Sequence, residues 1–231
     1  MPWFYYFDPT MLIVLPALIL AIWAQINVNS TYSKYSRLKT SGGVTGFDAA
    51  RRILDANGLH DVSIEMIRGE LTDHYDPRAN VIRLSEAVYS STSAAAVGVA
   101  SHEAGHAVQH AVGYGPIKLR SSIISVTNIG SMMAMPLFLI GIIMSSQPLM
   151  YAGIILYSLV AVFQLVTLPV EFDASKRAMV ALEGSGRFSE DELRASRKVL
   201  SAAALTYVAA LATSLLSLLR LVVIANGRSR R

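Results

Sequence analysis

The segment SHEAGHAVQH, residues 101–110, contains three of the five histidines of the chain, spaced four residues apart, together with one glutamate. Its centre, HEAGH, is a His-Glu-x-x-His motif. On a helix, His102 and His106 project from one face about one turn apart, which is roughly 5.4 Å. Two imidazole nitrogens at that separation can both reach one Zn²⁺ at about 2.0–2.1 Å. The spacing therefore predicts a metal site carried by a helix.

The glutamate of the motif suits a different task. Glu103 points about 100° around the helix from His102, so it cannot easily bind the same ion. It can instead reach a water molecule at the metal and accept its proton. This is the chemistry of a metal-dependent hydrolase with Glu103 as the general base. Because the motif also arises by chance, it is only a hypothesis, which the surrounding Ala- and Gly-rich helix favours.

The third protein ligand must come from outside the motif. His110 lies eight residues from His102, about 12 Å along a straight helix, so these two side chains cannot converge on one ion. We therefore expect His110 to support the site or to pack beside it. His74, in a predicted strand, is a weaker candidate.

The acidic residues that follow lie in LPVEFDASKRAMVALEG, residues 168–184. Pro169 suits the first turn of a helix, so we expect a helix to start there as the chain leaves the membrane. Two apolar runs between His106 and Glu171 would return the chain to the same membrane face and bring Glu171 to the metal. From these residues alone, an equally good explanation is that Glu171 and Asp173 only mark the water boundary after a span.

The composition predicts a polytopic membrane protein. The 231 residues are 53% hydrophobic with mean hydropathy +0.44. Four apolar runs approach or exceed the roughly 20 residues that cross a bilayer as a helix. The predicted organisation is an N-terminal transmembrane anchor (1–27), a cytoplasmic α+β catalytic unit with the HEAGH helix (28–122), a transmembrane hairpin (123–170), a cytoplasmic helical segment with the third metal ligand (171–198), and a C-terminal transmembrane helix with a basic tail (199–231).

The distribution of lysine and arginine predicts the orientation. Ten lie in residues 28–122 and six in residues 171–198, whereas residues 1–10 and the hairpin tip at 147–148 have none. The positive-inside rule therefore puts both polar segments in the cytoplasm and the N-terminus outside. The basic tail GRSRR disagrees, because four crossings would leave it outside. We expect a multi-pass protein of the bacterial cell membrane.

The composition also limits which kinds of site and partner are expected. The chain has no cysteine, which excludes disulfides, thiolate metal sites and a cysteine nucleophile. Its formal charge of +4 follows mostly from membrane topology, and no basic stripe with aromatics predicts nucleic-acid binding. The expected partners are a peptide or membrane-protein substrate, the lipid bilayer, and a second copy of the chain or a membrane subunit.

The polar part of residues 28–122 predicts an α+β arrangement. TGFDAARRILDANGL, residues 45–59, is an amphipathic helix with Thr45 as a plausible N-cap. VSIEMIR, residues 62–68, alternates like a strand, and the turn chemistry around Asp76-Pro77 predicts a hairpin over residues 72–85. A helix then runs from about residue 92, capped by one of Ser91, Thr92 or Ser93, to near Gly113.

Three segments together resemble the bacterial YugP-type neutral zinc metallopeptidases: DHYDPRANVIRLSEAVY, VASHEAGHAVQHAVGY and LPVEFDASKRAM. The resemblance covers most of the chain. In plan the chain is also similar to the CAAX prenyl endopeptidases and the HtpX-like quality-control proteases. The resemblance implies a zincin-like α+β catalytic unit combined with about four transmembrane helices, and one Zn²⁺ per chain.

In that larger group, a glutamate after the hairpin is the third ligand, within a pattern E-x-x-x-D. The resemblance therefore implies Glu171 for that role. This sequence departs from the pattern, because residue 175 is serine and an acid stands at Asp173 instead. On a helix, Ser175 shares the face of Glu171 and Asp173 points away from it. Which of these two residues supports a ligating histidine is left open by the sequence.

A peptidase also needs a donor for the oxyanion of the tetrahedral intermediate. The candidates are Tyr207, Tyr75, His110 and Arg177, and ordinary packing explains Tyr207 equally well. The strand NVIRLS, residues 80–85, is a further candidate, because it could pair with an extended substrate as an added strand. Its alternative role is an ordinary place in the sheet.

These features predict a membrane zinc metallopeptidase that hydrolyses peptide bonds with metal-activated water on the cytoplasmic side, in membrane protein quality control. A catalytically silent scaffold of a protease assembly is one alternative. A site-2-type intramembrane protease is another, although polar sequence flanks the motif here. A transporter would need more polar residues within its spans than Thr127, Asn128, Gln164 and Arg220.

Overall fold

The computed structural model describes residues 8–69 and 72–229. Two compact units are built from alternating parts of the chain. The helical unit runs to Ala24, covers Leu119–Thr167 and resumes at Thr206. The α+β unit covers Gln25–Lys118 and Leu168–Leu205. Residues 1–7 and the last two arginines of the basic tail lie outside the described residues.

The described residues form seven helices and three strands. The helices are α1 (Met11–Tyr35), α2 (Gly46–Ala56), α3 (Glu86–Tyr89), α4 (Ala94–Ala111), α5 (Gly115–Ile143), α6 (Gln147–Gly184) and α7 (Glu190–Ser229). The strands are β1 (Ser63–Ile67), β2 (His74–Asp76) and β3 (Val81–Ser85).

Four of the described helices, α1, α5, α6 and α7, are long and apolar enough to cross a membrane. This agrees with the predicted number of spans. The prediction that a new helix starts at Pro169 is wrong, because α6 continues through that residue. Proline removes one backbone donor and disturbs one turn, but the neighbouring hydrogen bonds and the long apolar sequence keep the helix continuous.

Glycines allow α5 and α6 to pack closely within the helical unit. A Cβ atom on Gly153 would lie 2.7 Å from the carbonyl oxygen of Ala134, and one on Gly141 would lie 2.6 Å from the backbone nitrogen of Met150. Small residues at such crossings let helix backbones approach each other, which is how helices associate without a hydrophobic driving force between them.

Arg220, the one basic residue inside an apolar run, has partners within the helical unit. Its guanidinium donates to the carboxylate of Asp8 at 2.9 Å and to the hydroxyl of Thr10 at 3.0 Å. The hydroxyl of Tyr151 donates to Asn226 at 2.9 Å. The start of α1, the start of α6 and the last part of α7 therefore meet at one end of this unit.

The α+β unit contains a three-stranded sheet in the order β1-β3-β2. Strand β3 pairs in parallel with β1 and antiparallel with β2, and the predicted hairpin joins β2 to β3. The proposal that NVIRLS adds a substrate strand is wrong, because β3 is the central strand and has both edges paired. Its residues are among the most buried in the unit, with Ile82 and Leu84 inaccessible to solvent.

Helices α2 and α4 cover one another in the core of this unit. The predicted N-cap of α2 is confirmed, since Thr45 and Asp48 form a reciprocal capping box. The N-cap of α4 is Ser93, whose hydroxyl accepts the N–H of Ala96. The alanines of α4 keep its surface smooth, so Leu54 of α2 and Val88 of α3 pack closely in the same cluster.

Candidate metal centre

Helix α4 presents the two motif histidines side by side. The rings of His102 and His106 are 4.6 Å apart between centroids and cross at 80°. Both rings are largely buried, with side-chain exposures of 14% and 11%. A rigid, N-capped helix therefore fixes the spacing that the sequence predicts for two ligands of one ion.

Glu171 of α6 brings the third donor to this pair. Its Oε2 lies 3.2 Å from Nε2 of His102 and 3.4 Å from Nε2 of His106. The carboxylate side chain is only 3% exposed. The ligand atoms of the three residues all lie within 4.8 Å of one another, so this group could hold one metal ion.

The close approach of α6 depends on the glycine inside the motif. A Cβ atom on Gly105 would lie 2.6 Å from the carbonyl oxygen of Ala174, a distance that no real side chain tolerates. Gly98, two turns earlier on α4, also lies close to α7, although less tightly, since a Cβ atom there would lie 3.3 Å from Cβ of Ser196. The two small residues let both long helices lie directly against α4.

A buried glutamine fixes the orientation of His106. Gln109 is fully buried, and its amide nitrogen donates to the carbonyl of Val170 at 2.8 Å and to the carboxylate of Asp173 at 2.9 Å. These two acceptors use both amide protons, so the amide oxygen must face Nδ1 of His106, 3.0 Å away, as an acceptor. Nδ1 of His106 therefore carries a proton, and Nε2 points towards Glu171.

His102 is held more simply. Its Nδ1 lies 3.1 Å from the hydroxyl of Ser175, one turn after Glu171 on the same face of α6. A serine hydroxyl can donate or accept, so this contact orients the ring without fixing which nitrogen carries the proton. Ser175 thus occupies the position that aspartate has in the E-x-x-x-D pattern.

The charge around His106 favours its protonated form when no metal is bound. Burial alone would lower the pKa of His106, but its hydrogen bond to Glu171 and the negative charges of Glu103 and Glu171 raise that pKa above the ordinary value. A cation is therefore favoured between these groups, and a metal ion would supply the positive charge that the proton otherwise provides.

Glu103 points from α4 towards strand β2 of the sheet. Its Oε2 accepts the backbone N–H of Tyr75 in β2 at 2.9 Å, and the residue is 8% exposed. This contact uses one carboxylate oxygen and leaves the other without a protein hydrogen bond among the described residues. The glutamate of the motif is thus held at a fixed angle beside the two histidines.

The other residues that the sequence suggests as ligands or oxyanion donors are not part of the group formed by His102, His106 and Glu171. His110 packs edge-on against the ring of Tyr75, and burial together with His106 and Lys118 lowers the pKa of His110. The hydroxyl of Tyr75 donates to Asn80 within the hairpin. His74 is exposed in β2, and Tyr207 is a half-buried residue of α7 in the helical unit.

Asp173 and Arg177 lie on the opposite side of α6 from Glu171. The guanidinium of Arg177 donates to Asp173 at 2.6 Å and lies 5.8 Å from the ring of Tyr114. Within the described part of the chain, Asp173 is therefore connected to the histidine pair through Gln109. The role of Gln109 was missed from the sequence, although a polar residue one turn after His106 in an alanine-rich helix was an available signal.

The residues present fit zinc. Two imidazoles and one carboxylate form a donor set that zinc commonly takes in catalytic sites, where three protein ligands leave one position open. Each histidine has its Nδ1 bonded to a protein group and its Nε2 turned towards the same carboxylate oxygen. Hydrogen bonds of this kind orient metal-binding histidines.

These features define a membrane protein with a group of two histidines and one glutamate that could hold a metal ion. The chain belongs to the family described as putative neutral zinc metallopeptidase, whose model matches residues 10–226. It is 52% identical over 217 residues to the "putative membrane protease YugP" of Bacillus subtilis (strain 168), and the aligned region covers 94% of this chain and 96% of that protein. The resemblance found in the sequence is thereby confirmed. No solved structure matches the chain significantly.

Proposed function

We propose that this protein is a zinc metalloendopeptidase of the His-Glu-x-x-His type, with a zincin-like catalytic unit attached to four membrane spans. His102, His106 and Glu171 would hold one zinc ion, and Glu103 would act as the general base. The observation that carries the proposal is the contact of one Glu171 oxygen with Nε2 of both histidines. The family and the membrane protease relative support the same class of reaction.

Bound zinc supplies a Lewis acid that polarises the peptide carbonyl and lowers the pKa of water to about 7. Glu103 accepts the proton of the attacking water and delivers it to the amine that leaves. The backbone N–H of Tyr75 holds the carboxylate of Glu103 during both transfers. Gln109 and Ser175 hold the two imidazoles so that their Nε2 atoms keep facing the ion.

The rival intramembrane protease is less well supported. The motif lies on α4, an 18-residue helix with most of its residues buried in the α+β unit, and α4 is not one of the four apolar helices long enough to span a membrane. We therefore favour a site that acts on polypeptide outside the bilayer core. Unfolded segments of membrane proteins are the proposed substrates, as in membrane protein quality control.

The function is tested by changing Glu103 to Gln in the purified full chain. We expect zinc content to stay near one per chain while cleavage of fluorescently labelled casein falls by at least about 100-fold, because glutamine cannot accept the proton. Glu86→Gln, on an exposed residue of α3, is the matched control and should cleave normally. Full activity of the Glu103 variant would remove the general base from the proposal.

The metal-dependence arm separates an enzyme from a silent scaffold. Removing zinc with a chelator should abolish cleavage by the parent protein, and added zinc should restore it. A parent protein that binds zinc but cleaves no unfolded substrate would support the scaffold instead.

We further propose that the active site faces the cytoplasm of a bacterial cell. The sixteen lysines and arginines in residues 28–122 and 171–198, against none at the hairpin tip, support this orientation. The chain has no cysteine, so single cysteines can report the side. Ser63→Cys and Glu190→Cys should resist an impermeant thiol reagent in intact cells, whereas Met144→Cys should be labelled. The reverse pattern would invert the topology.

A further inference from the structure

A cavity lies in the α+β unit, on the opposite side of α6 from the proposed metal-binding group. Its volume is about 840 Å³, and residues of α2 and of the last part of α6 line it. Val180, in its lining, is nine residues after Glu171, which is two and a half turns and therefore half a rotation away. The volume falls within the roughly 300–1,000 Å³ typical of small-molecule sites.

The rim of this cavity is basic. Arg52, Lys176 and Arg187 are exposed lining residues, and none of them forms a salt bridge within the described part of the chain. Asp48 acts on Arg52 only at longer range and is itself bonded to Thr45. Three positive charges therefore face this space without a carboxylate in contact with them.

The one carboxylate in the lining is already bonded. Asp173 accepts from Arg177 at 2.6 Å and from Gln109 at 2.9 Å. Its negative charge is thus balanced within the protein. The net charge that the cavity presents to a ligand is positive.

The floor of the cavity is apolar. Ile53 of α2, Val108 of α4 and Leu182 of α6 are buried beneath it, and Val180 and Phe188 border the opening. Val180 keeps 61% of its surface exposed. A free phosphate would satisfy the rim but leave this apolar surface in contact with water. The combination fits a molecule with an anionic head and an apolar body.

We propose that this cavity binds the anionic headgroup and adjoining acyl carbons of a membrane phospholipid. Lys176 lies six residues after Val170, where the last apolar run before it ends, and this is about 9 Å along the continuous helix α6. Basic side chains just beyond a membrane span attract anionic lipids, each contributing about fivefold to binding. Charge complementarity selects an anionic ligand, and the position on α6 just beyond a membrane span selects a lipid over an acidic peptide.

The test is a titration of the full chain, purified in neutral maltoside detergent, with dihexanoyl phosphatidylglycerol. Calorimetry should show one saturable site, with at least about tenfold weaker binding of dihexanoyl phosphatidylcholine and of glycerol phosphate. The triple variant Arg52→Gln, Lys176→Gln, Arg187→Gln should bind phosphatidylglycerol on the order of 100-fold more weakly. Arg177 is left unchanged because it also holds Asp173 and thereby Gln109.

A charge-matched control uses exposed basic residues away from the cavity. Arg68→Gln, Arg78→Gln, Lys198→Gln should bind the lipid like the parent. A further variant tests the apolar part of the cavity. Val180→Asp changes an exposed residue of the lining, so it should abolish lipid binding, as the triple variant does, while zinc content and thermal stability stay unchanged.

Three results would overturn the lipid site. The first is equal binding of the two phospholipids. The second is unchanged binding in the cavity variants. The third is tighter binding of glycerol phosphate or of an acidic Glu-Leu peptide than of phosphatidylglycerol.

Discussion

The two faces of α6 support the two histidines of the proposed metal site in different ways. One face carries Glu171 and Ser175, which contact the imidazoles directly. The other face carries Asp173 and Arg177, which among the described residues are connected to a histidine through Gln109. A single helix thus supplies both a proposed ligand and the support of another ligand.

The difference shows how direct and indirect contacts constrain a ring. Gln109 is fixed at three points, so it allows only one tautomer of His106. Ser175 is a neutral hydroxyl that can bond with either tautomer of His102. We therefore expect the indirect contact, from Asp173 through Gln109 to His106, to constrain its imidazole more than the direct contact of Ser175 constrains His102. Substitutions on the two faces can test this ordering.

The largest effect should come from Glu171→Ala on the direct face. The change removes one of three proposed protein ligands, so zinc affinity should fall by well over 100-fold and the purified protein should be nearly free of zinc. Metal analysis and competition with a chromophoric chelator, both in detergent, measure this.

The matched control for that variant is Asp173→Ala, two residues away on the other face. Loss of an indirect support typically lowers metal affinity by about 10–100-fold, so this variant should still bind zinc at saturating concentration. If Asp173→Ala is empty while Glu171→Ala stays loaded, the assignment of the third ligand is wrong.

The second largest effect should come from Gln109→Leu. Leucine is similar in size, so a packing role predicts no change, whereas the proposed role predicts a loss of zinc affinity of about 10–100-fold. Nδ1 of His106 would lose its acceptor, and the carbonyl of Val170 its donor. The same chelator competition measures the loss, and thermal unfolding checks that the fold is kept.

Asp173→Asn sharpens this result. Asparagine can still accept the amide N–H of Gln109 through its oxygen, although it loses the charged bond to Arg177. Its zinc affinity should therefore fall less than that of Gln109→Leu. A larger loss for Asp173→Asn would mean that Asp173 acts by its charge rather than through Gln109.

Much of the α+β unit could be predicted from local patterns. Thr45, the turn after Asp76 and the cap before α4 are short-range signals, and each gave the correct element. Two predictions that needed more than local sequence were wrong. The order of strands placed β3 in the centre, and the context of a long apolar helix outweighed the usual effect of Pro169.

The candidate site could likewise be predicted only where local spacing determines it. His102 and His106 follow from helix spacing, but the approach of Glu171 depends on how α6 packs against Gly105. The spacing rule correctly puts Ser175 on the face of Glu171. It gives no indication that Asp173 reaches His106 through a glutamine 64 residues earlier in the chain, because that contact exists only after the helices pack.

The smallest effect should come from Ser175, and here the sign of the change is informative. Ser175→Ala removes the only hydrogen bond that Nδ1 of His102 makes among the described residues, so zinc affinity should fall, but by less than about tenfold. The ring keeps its helical position, and its 14% exposure lets water replace the hydroxyl.

Ser175→Asp should act in the opposite direction and raise zinc affinity. A carboxylate accepts the Nδ1–H more strongly than a hydroxyl does. It would therefore fix the tautomer of His102 that carries its proton on Nδ1 and leaves the lone pair of Nε2 free for a metal ion. Both variants are measured by chelator competition beside Ser185→Ala, a control on an exposed serine in the turn that follows α6. A gain for Asp with a loss for Ala would show that Ser175 supports His102. Equal affinities in all three variants would leave His102 oriented by α4 alone.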